Sequence, residues 1–356
     1  MSLSRALSRI DRFLAAILLT VALASVLPAR GEAAVGAAWL TNGAIMLLFF
    51  MHGARLSPEA AWAGARHWRL HAMIFLSTFA LFPLLVVSCH LLAPELLPPP
   101  LWAGLILLSA LPSTIQASIA FTSVAGGNVS AALCSASAST LLGTVLTPLI
   151  AGMLLVSSAP LSAHSMLAIV LQLLVPFLAG QLLRPLIGSF MMRHGLVLKC
   201  VDYGSILLIV YTAFSVGVVN GIWHQVDAAQ LLRLALMDVS LLTIVMTVLT
   251  FASRRLGFSR ADEITIVFCG SKKSLASGAS IATVLFAGHV GLAIIPIMLF
   301  QQIQLMVCAS LARHYASRRE VAVPIAEEKI GGSLLQSKLG RLSRAFAGRA
   351  LWEQHR

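Results

Sequence analysis

Long apolar stretches separated by short polar loops run along most of the chain. A helix that crosses a hydrocarbon core of roughly 30 Å needs about 20 apolar residues. The pattern therefore predicts an all-α polytopic membrane protein of ten transmembrane helices. The predicted spans are Phe13–Leu27, Ala37–Met51, His71–Leu92, Trp102–Val124, Ala131–Leu155, Met166–Ile187, Tyr203–Val219, Ala229–Phe251, Ile264–Phe286 and Gly288–Leu311. Residues 1–315 form the predicted membrane domain, and residues 316–356 form a basic cytoplasmic tail.

Two of these spans are interrupted by residues that break or polarise a helix. In the fourth span Pro112 removes a backbone donor. Polar side chains follow it at mid-depth, namely Ser113, Thr114, Gln116 and Ser118. In the ninth span Gly270 and Ser271 loosen the helix just before Lys272 and Lys273. Each is the fourth span of a set of five, so the ten spans divide into two halves of five, about 12–155 and about 165–312.

Interrupted spans at matching positions of two halves are the best sequence pointer to a transporter's binding site. Unwound backbone in a bilayer must line water or pack against protein, because lipid cannot satisfy its hydrogen bonds. We therefore predict a solute or ion site where the fourth and ninth spans meet. The alternative is an ordinary kink at Pro112 and a harmless glycine at Gly270.

The adjacent lysines carry the sharpest chemical signal. Lys272 lies 12 residues after Arg260, which is about 18 Å of helix and near the middle of the bilayer. Each lysine there costs roughly 2.5–3.5 kcal/mol, so both need carbonyls, an acid, water or a bound anion. The acid that we place within a span is Asp238. Two interpretations stay open: a structural Lys–Asp pair with carbonyl hydrogen bonds, or a role in binding an anionic group or substituting for a cation.

The helix halves that follow the two breaks begin with backbone N–H groups that carry partial positive charge. Ser274 is placed to cap the second of these halves, and Ser113 or Thr114 the first. Together with the lysines, these N-termini favour a solute that carries a carboxylate, sulfate or phosphate.

Other polar residues inside the spans have weaker signals. Ser135 and Ser139 lie on a face of small residues in the fifth span, which favours close helix packing with ion coordination as the alternative. Gln302, with Gln301 and Gln304, belongs in contact with protein or water and is placed to buttress the broken helices. The five cysteines form no CxxC pair, so neither a disulfide framework nor a metal site is predicted.

Composition supports a membrane protein and excludes other classes. Hydrophobic residues make up 58% of the 356 residues and charged residues 11%, whereas soluble domains carry about 25% charged residues. The net charge of +12 is spread over short loops and the tail, so nucleic-acid binding is not predicted. No HExxH or GxSxG motif occurs, so we predict no enzyme activity and no cofactor.

The basic residues predict the orientation. They cluster in residues 5–12, 55–69, 184–199 and 254–260 and again from Arg313 onward. Because lysine and arginine accumulate on the cytoplasmic side, ten spans place both termini in the cytoplasm. The first span also has the pattern of a signal peptide, and its cleavage would leave nine spans. Residues 337–352 read either as a basic amphipathic helix on the inner leaflet or as a solvated tail.

Several segments resemble the bile acid:sodium symporter superfamily, specifically its sodium/bile acid cotransporter 7-like branch with bacterial members. The resemblance runs from about Arg12 to Tyr315. It is carried by residues Leu47–Ser57, His67–His71, Ala120–Ser139, Val218–His224, Ala261–Gly278 and Gln302–Ala309. It implies two inverted five-helix repeats, with a core domain of spans three to five and eight to ten and a panel domain of spans one, two, six and seven. The fourth and ninth spans would cross at the binding site.

The resemblance also implies sodium ligands, which the chain keeps only in part. In the first sodium pocket of the family, the matching stretches here offer Gln116, Ser118, Ser135 and Ser139. The usual Glu-x-x-x-Gln-Asn run of the ninth span corresponds here to Cys269-Gly270-Ser271-Lys272-Lys273-Ser274. A carboxylate is thus missing where sodium would bind and positive charge is present, so the sequence argues against sodium coupling.

We therefore expect a secondary active transporter of a small organic anion in the cell inner membrane, working by alternating access. Its predicted partners are the anionic solute and the lipid bilayer. The alternatives are a non-transporting regulator or receptor that keeps the fold, for example in calcium homeostasis, and a channel.

Overall fold

The computed structural model describes residues 12–55, 67–155, 163–221, 226–286 and 290–322. Within these ranges every regular element is a helix. The unbroken helices are α1 Arg12–Val26, α2 Glu32–Arg55, α3 Trp68–Leu92, α5 Val129–Leu155, α6 Ala163–Arg193, α7 Gly195–Val219, α8 Ala228–Arg255 and α10 Val290–Ala322. Two helices are split, into α4a Pro99–Ala110 and α4b Ile115–Ala125, and into α9a Arg260–Gly270 and α9b Leu275–Leu285.

Seven helices of the described ranges are long and apolar enough to cross a membrane, namely α2, α3, α5, α6, α7, α8 and α10. The α4a–α4b pair, bent by 60°, adds an eighth span if it counts as one. Outward-facing leucines such as Leu19 and Leu182 are 71% and 79% exposed, which suits a lipid-facing surface. The chain is a multi-pass membrane protein, while the ten-span count with two repeats stays a prediction.

The helices pack as two groups. α1, α2, α6 and α7 contact one another, and α3, α4, α5, α8, α9 and α10 contact one another around the two broken helices. Contacts between the groups run from α7 to α9b and α10 and from α6 to α5 and α9b. Of the broken helices, α9b therefore lies on the side of the second group that faces the first.

Helices α2 and α6 cross at two glycines that face each other's backbone. A Cβ atom added at Gly53 would overlap the carbonyl oxygen of Phe177, and one added at Gly180 would overlap the carbonyl oxygen of Phe50. Since helices in lipid associate through close packing of small residues, this reciprocal contact fixes the separation of the two helices.

Several predicted helix ends were wrong. α2 begins at Glu32 and α7 at Gly195, each several residues before the predicted start. α10 continues to Ala322, past the predicted end at Leu311. Residues 1–11 and 323–356, which include the N-terminal arginines and most of the predicted tail with its amphipathic helix, lie outside the described residues.

Candidate functional site

The two broken helices meet at their breaks. In each helix four residues separate the two halves, 111–114 in α4 and 271–274 in α9. The backbone N–H of Ser274 donates to the Pro112 carbonyl over 2.9 Å. Thr114 Oγ1 donates to the Lys273 carbonyl over 2.9 Å, and Ser113 Oγ donates to the Cys269 carbonyl over 2.7 Å. The predicted interruptions are therefore real breaks, and each supplies partners for the other.

Lys273 is enclosed by backbone carbonyls. Its side chain is 1% exposed, and Nζ donates to the carbonyl oxygens of Thr78, Ser109 and Leu111 over 2.7, 2.6 and 2.9 Å. An ammonium has three N–H donors and no acceptor, so all three donors are used. The Nζ atom also lies 4.2 Å from the ring centroid of Phe82. The ammonium thus has the oxygen coordination that a bound cation would have.

These carbonyls are available because the local backbone leaves them without helical donors. Residues Ser77–Leu81 form a turn of π-helix, in which the Phe82 N–H bonds to the Ser77 carbonyl. The next residue is Pro83, which has no N–H to offer to Thr78. In α4 the Ser113 N–H, which would bond to Ser109 in an unbroken helix, donates to Ser139 Oγ over 3.0 Å. Two proline-associated irregularities therefore create the carbonyl cage.

Helix α10 holds the break in α9 through one glutamine. Gln304 Oε1 accepts from the Lys273 backbone N–H, and Gln304 Nε2 donates to the Lys273 carbonyl, both over 2.9 Å. Gln304 Nε2 also donates to Gln301 Oε1. The predicted buttress is thus Gln304 with Gln301. Gln302 lies on another face of α10, and its buried Nε2 atom has no hydrogen-bond partner.

Lys272 has a different environment from its neighbour. It is 0% exposed, and its Nζ atom has no hydrogen-bond partner. The ammonium lies 4.2 Å from the Phe121 ring centroid and 5.4 Å from that of Phe268. Its stabilisation comes from the faces of these rings. Because Phe121 lines the cavity described below, Lys272 lies directly behind the cavity wall.

The Lys–Asp pair considered from the sequence was wrong. Asp238 is 0% exposed, and neither of its carboxylate oxygens has a hydrogen-bond partner. It is also not among the residues that line the central cavity. Counting acids along the chain could not show this, because two buried residues of opposite charge meet only if their helix faces meet.

A cavity of about 460 Å³ lies beside the crossing. Both helix halves that follow the breaks contribute their first turns to its wall, residues 114–117 of α4b and 274–277 of α9b. Other polar lining residues are His52, Ser113, Thr140, Lys199, Asp202, Tyr203 and Gln301. Lys199 and Tyr203 are exposed, so the cavity reaches the surface at their end of the bundle.

The sequence did not identify the charged wall of this cavity. Arg55 Nη1 donates to Asp202 Oδ2 over 2.6 Å, joining α2 to α7. Gln116 Nε2 approaches the same oxygen at 3.4 Å, which links α7 to the broken helix α4. Asp202 was counted outside the spans because α7 was predicted to begin at Tyr203. The sequence signal that could have identified it is its position, because Asp202 is a charged residue immediately before the apolar run that starts at Tyr203.

The predicted serines fall into two clusters. Ser113, Ser118 and Ser139 share hydrogen bonds at the break in α4. Ser135 instead pairs with His71 Nδ1 over 2.6 Å, while Gln116 points toward Asp202. Of the sodium ligands that the resemblance implies, Gln116, Ser118 and Ser135 therefore each have a different partner. In the described part of the chain, no three His, Cys, Asp or Glu residues are grouped as a metal site would require.

The remaining predicted residues define the break in α9. Ser274 Oγ accepts from the Ser277 N–H over 3.3 Å and so caps α9b as predicted. Thr114 makes no capping bond to α4b, because its hydroxyl donates to Lys273. Ser271 Oγ bonds back to the Val267 carbonyl over 2.6 Å. The Gly270 carbonyl oxygen accepts a hydrogen bond from Ser77 Oγ. A Cβ atom added at Gly270 would overlap the side chain of Leu249.

Comparison with known proteins shows what the chain is similar to. Residues 11–317 match the sequence profile of the SBF-like CPA transporter family. YfeH of Escherichia coli strain K12, which carries a provisional designation as a symporter, is 51% identical over 313 residues, covering 87% of this chain and 94% of that protein. An uncharacterised protein of Pseudomonas aeruginosa is 51% identical over 321 residues, covering 89% and 96%. Sodium/bile acid cotransporter 7 of Xenopus tropicalis is 27% identical over 310 residues, covering 84% and 89%. These matches confirm the resemblance to the bile acid:sodium symporter superfamily.

Proposed function

The chain belongs to the SBF-like CPA transporter family, and from this premise we propose that it is a secondary active transporter of a small organic anion. Its family and the names of its relatives indicate a membrane transporter with a solute partner and not an enzyme. The anionic character of the solute is our proposal.

One observation carries this proposal. The first turns of α4b and α9b line the same cavity, and the free N–H groups of a helix N-terminus attract anions. Lys199 lies at the open end, and Lys272 lies behind Phe121. Asp202 opposes this positive field, but Arg55 pairs with it over 2.6 Å. The field in the cavity therefore favours a carboxylate, sulfonate, sulfate or phosphate.

The architecture that we propose is ten spans in two inverted repeats. The two broken helices support it, because their halves have 12 and 11 residues in α4 and 11 and 11 in α9. The contacts support it as well, since α1 with α7 and α2 with α6 occupy equivalent places in two repeats. Residues 1–315 would carry the membrane domain, with a panel of α1, α2, α6 and α7 and a core of the other helices.

Alternating access follows from this division. The core, which holds the crossing, would move against the panel, so the cavity between α4b, α9b and α7 would open to each side in turn. Both termini would be cytoplasmic in the cell inner membrane, in keeping with the basic loops. The cavity that now reaches the surface at Lys199 would then face the cytoplasm.

Lys273 would take the place of a coupling sodium ion at the crossing. Its ammonium is bound by three carbonyls, and it cannot dissociate during the cycle. Sodium binding at this position would bring a second charge into a filled cage. We therefore propose that anion transport does not depend on a sodium gradient.

Reconstituted protein tests the proposal. Proteoliposomes should show saturable uptake and counterflow of at least one anion from a panel of carboxylates, sulfonates, sulfate and phosphate, at equal rates in sodium and choline buffers. Ala276→Trp should abolish uptake by filling the cavity between the two N-termini, and Ala103→Trp, in the separate cavity near Trp102, is the matched control. Flux without saturation would indicate a channel, and uptake that needs sodium would contradict the role of Lys273.

A further inference from the structure

His52 lines the central cavity together with Asp202 and Gln116, and the mechanism above does not use it. Its Nδ1 atom lies 2.7 Å from the Leu48 carbonyl oxygen. A carbonyl only accepts hydrogen bonds, so Nδ1 carries the hydrogen. In the neutral ring the other nitrogen, Nε2, is then an acceptor with a free lone pair. No hydrogen bond to Nε2 occurs within the described chain.

A second acceptor without a donor lies on the facing helix. Asp202 is 5% exposed, and its Oδ2 atom accepts from Arg55 and approaches Gln116. Its buried Oδ1 atom has no hydrogen-bond partner. A buried acceptor without a donor costs about 1–3 kcal/mol. Asp202 and His52 line the same cavity.

We propose that His52 is the site at which this transporter binds its coupling proton. This inference rests on the proposed anion transport and names its coupling ion. Water in the cavity would give a proton to the Nε2 lone pair, which forms an N–H bond and leaves hydroxide to the solvent. The imidazolium then supplies a donor on the side of the cavity that contains an unpaired carboxylate oxygen.

The groups around His52 make this position suitable for a proton. The charged neighbours are Asp202 and Lys199 on α7 and Arg55 on its own helix. Four other helices contribute uncharged side chains to the cavity walls near His52, namely Gln116 from α4b, Phe177 from α6, Ser274 and Ser277 from α9b and Gln301 from α10. None of these side chains titrates between about pH 5 and 8. Histidine is the side chain whose ordinary titration falls in this range, and its protonation adds positive charge to an anion-binding wall.

The proton would couple to the anion through charge. A bound proton strengthens anion binding, and a bound anion holds the proton, because the coupling between two ligands is reciprocal. The two would therefore cross together as a symport. This arrangement supplies a driving ion to a protein whose carbonyl cage is already filled by Lys273.

The experiment measures proton binding without a substrate. Full-length protein in proteoliposomes on a solid-supported membrane is exposed to a jump from pH 8 to pH 6, and the transient charge displacement is recorded. We expect wild type to give a transient and His52→Gln to reduce it at least fivefold, since glutamine is a polar side chain of similar size that binds no proton. His90→Gln changes a histidine that lines the separate cavity near Trp102, and this variant should retain the wild-type transient.

A second measurement separates this inference from the proposed function. Sulfate, methanesulfonate and propane-1,3-disulfonate remain ionised from pH 6 to pH 8 and serve as anion probes. The affinity of wild type for an anion probe that binds should be about tenfold higher at pH 6 than at pH 8. The affinity of a monodisperse His52→Gln variant should be the same at both pH values. A wild-type transient in His52→Gln would overturn the proton site even if anions bind. A lost transient without binding of any probe would support the proton site while counting against anion transport.

Discussion

The Ser274 backbone N–H donates to the Pro112 carbonyl oxygen over 2.9 Å. Each of these groups lies in a helix break, where the regular backbone pattern gives it no partner. The two breaks are thus satisfied by each other, and separating them would leave polar groups unpaired in the membrane. We expect α4 and α9 to move as one body at their crossing.

Replacing Lys273 should destabilise the protein strongly. Lys273→Met removes the donor to three buried carbonyls, which we expect to lower the free energy of unfolding by about 3–5 kcal/mol. Thermal unfolding in detergent, followed by intrinsic fluorescence, measures the loss. An unchanged melting temperature would show that water or another donor replaces the ammonium.

Lys272→Met should change protein stability little and should reduce anion affinity. The methionine keeps the packing against Phe121 and Phe268 and removes a buried ammonium that has no acceptor, so the change in stability should be within about 1 kcal/mol. Anion affinity should fall, because the positive charge behind the cavity is lost. The two adjacent lysine variants serve as each other's control, and equal losses in stability would contradict their different environments.

Sodium should stabilise the protein only when the tethered ammonium is absent. In Lys273→Ala the three carbonyls surround a space that a small cation can enter, so sodium should raise the melting temperature relative to choline by a few degrees. Wild type should show no difference between the two salts. Sodium stabilisation of wild type would mean that a cation site exists elsewhere.

Arg55 and Asp202 should show strong coupling. Asp202 has a side chain that is 7% exposed, and that of Arg55 is 27% exposed. Arg55→Ala should cost about 2–3 kcal/mol by leaving a buried carboxylate unpaired, discounted for the exposed arginine. Adding Asp202→Asn should recover much of this loss. A double-mutant cycle from thermal unfolding gives the coupling energy, and additive losses would exclude a direct ion pair.

The crossing of α2 and α6 should not accept a larger residue. Gly53→Ala or Gly180→Ala forces the helices apart at overlapping backbone carbonyls, and we expect a loss of about 2–4 kcal/mol. Gly43→Ala on the same helix meets nothing within 4 Å and should be neutral or slightly stabilising. Comparable melting temperatures for Gly53→Ala and Gly43→Ala would refute the close approach.

Sequence patterns predicted the two breaks, because proline, glycine and charge are local signals. Pro112, Gly270 and Lys273 each disturb an apolar helix in a way that neighbouring residues reveal. The same reasoning gave backbone carbonyls as one of four possible kinds of partner for the lysines, beside an acid, water and a bound anion. It could not say which ones, since the donor-free carbonyl of Thr78 depends on a π-helical turn 195 residues away in the sequence.

The residues that contact one another across helices could not be predicted, because the sequence does not show which face of a helix points inward or which helices pack together. Gln301, Gln302 and Gln304 were predicted together, because an apolar helix with several glutamines gives no sign of which face meets the break. Arg55 and Asp202 lie 147 residues apart, and only the packing of α2 against α7 brings them together. Asp238 was considered as a partner of the lysines because it was the one acid placed within a span, and the earlier start of α7 brings Asp202 into a helix as well.

The carbonyl cage around Lys273 has a consequence for how this carrier relates to its surroundings. A cation that is part of the polypeptide has its occupancy fixed at synthesis, and neither dilution nor salinity of the medium can change it. The cation position at the crossing should therefore stay filled in fresh water and in brine, whereas the same position in a sodium-dependent carrier would empty as the sodium concentration falls.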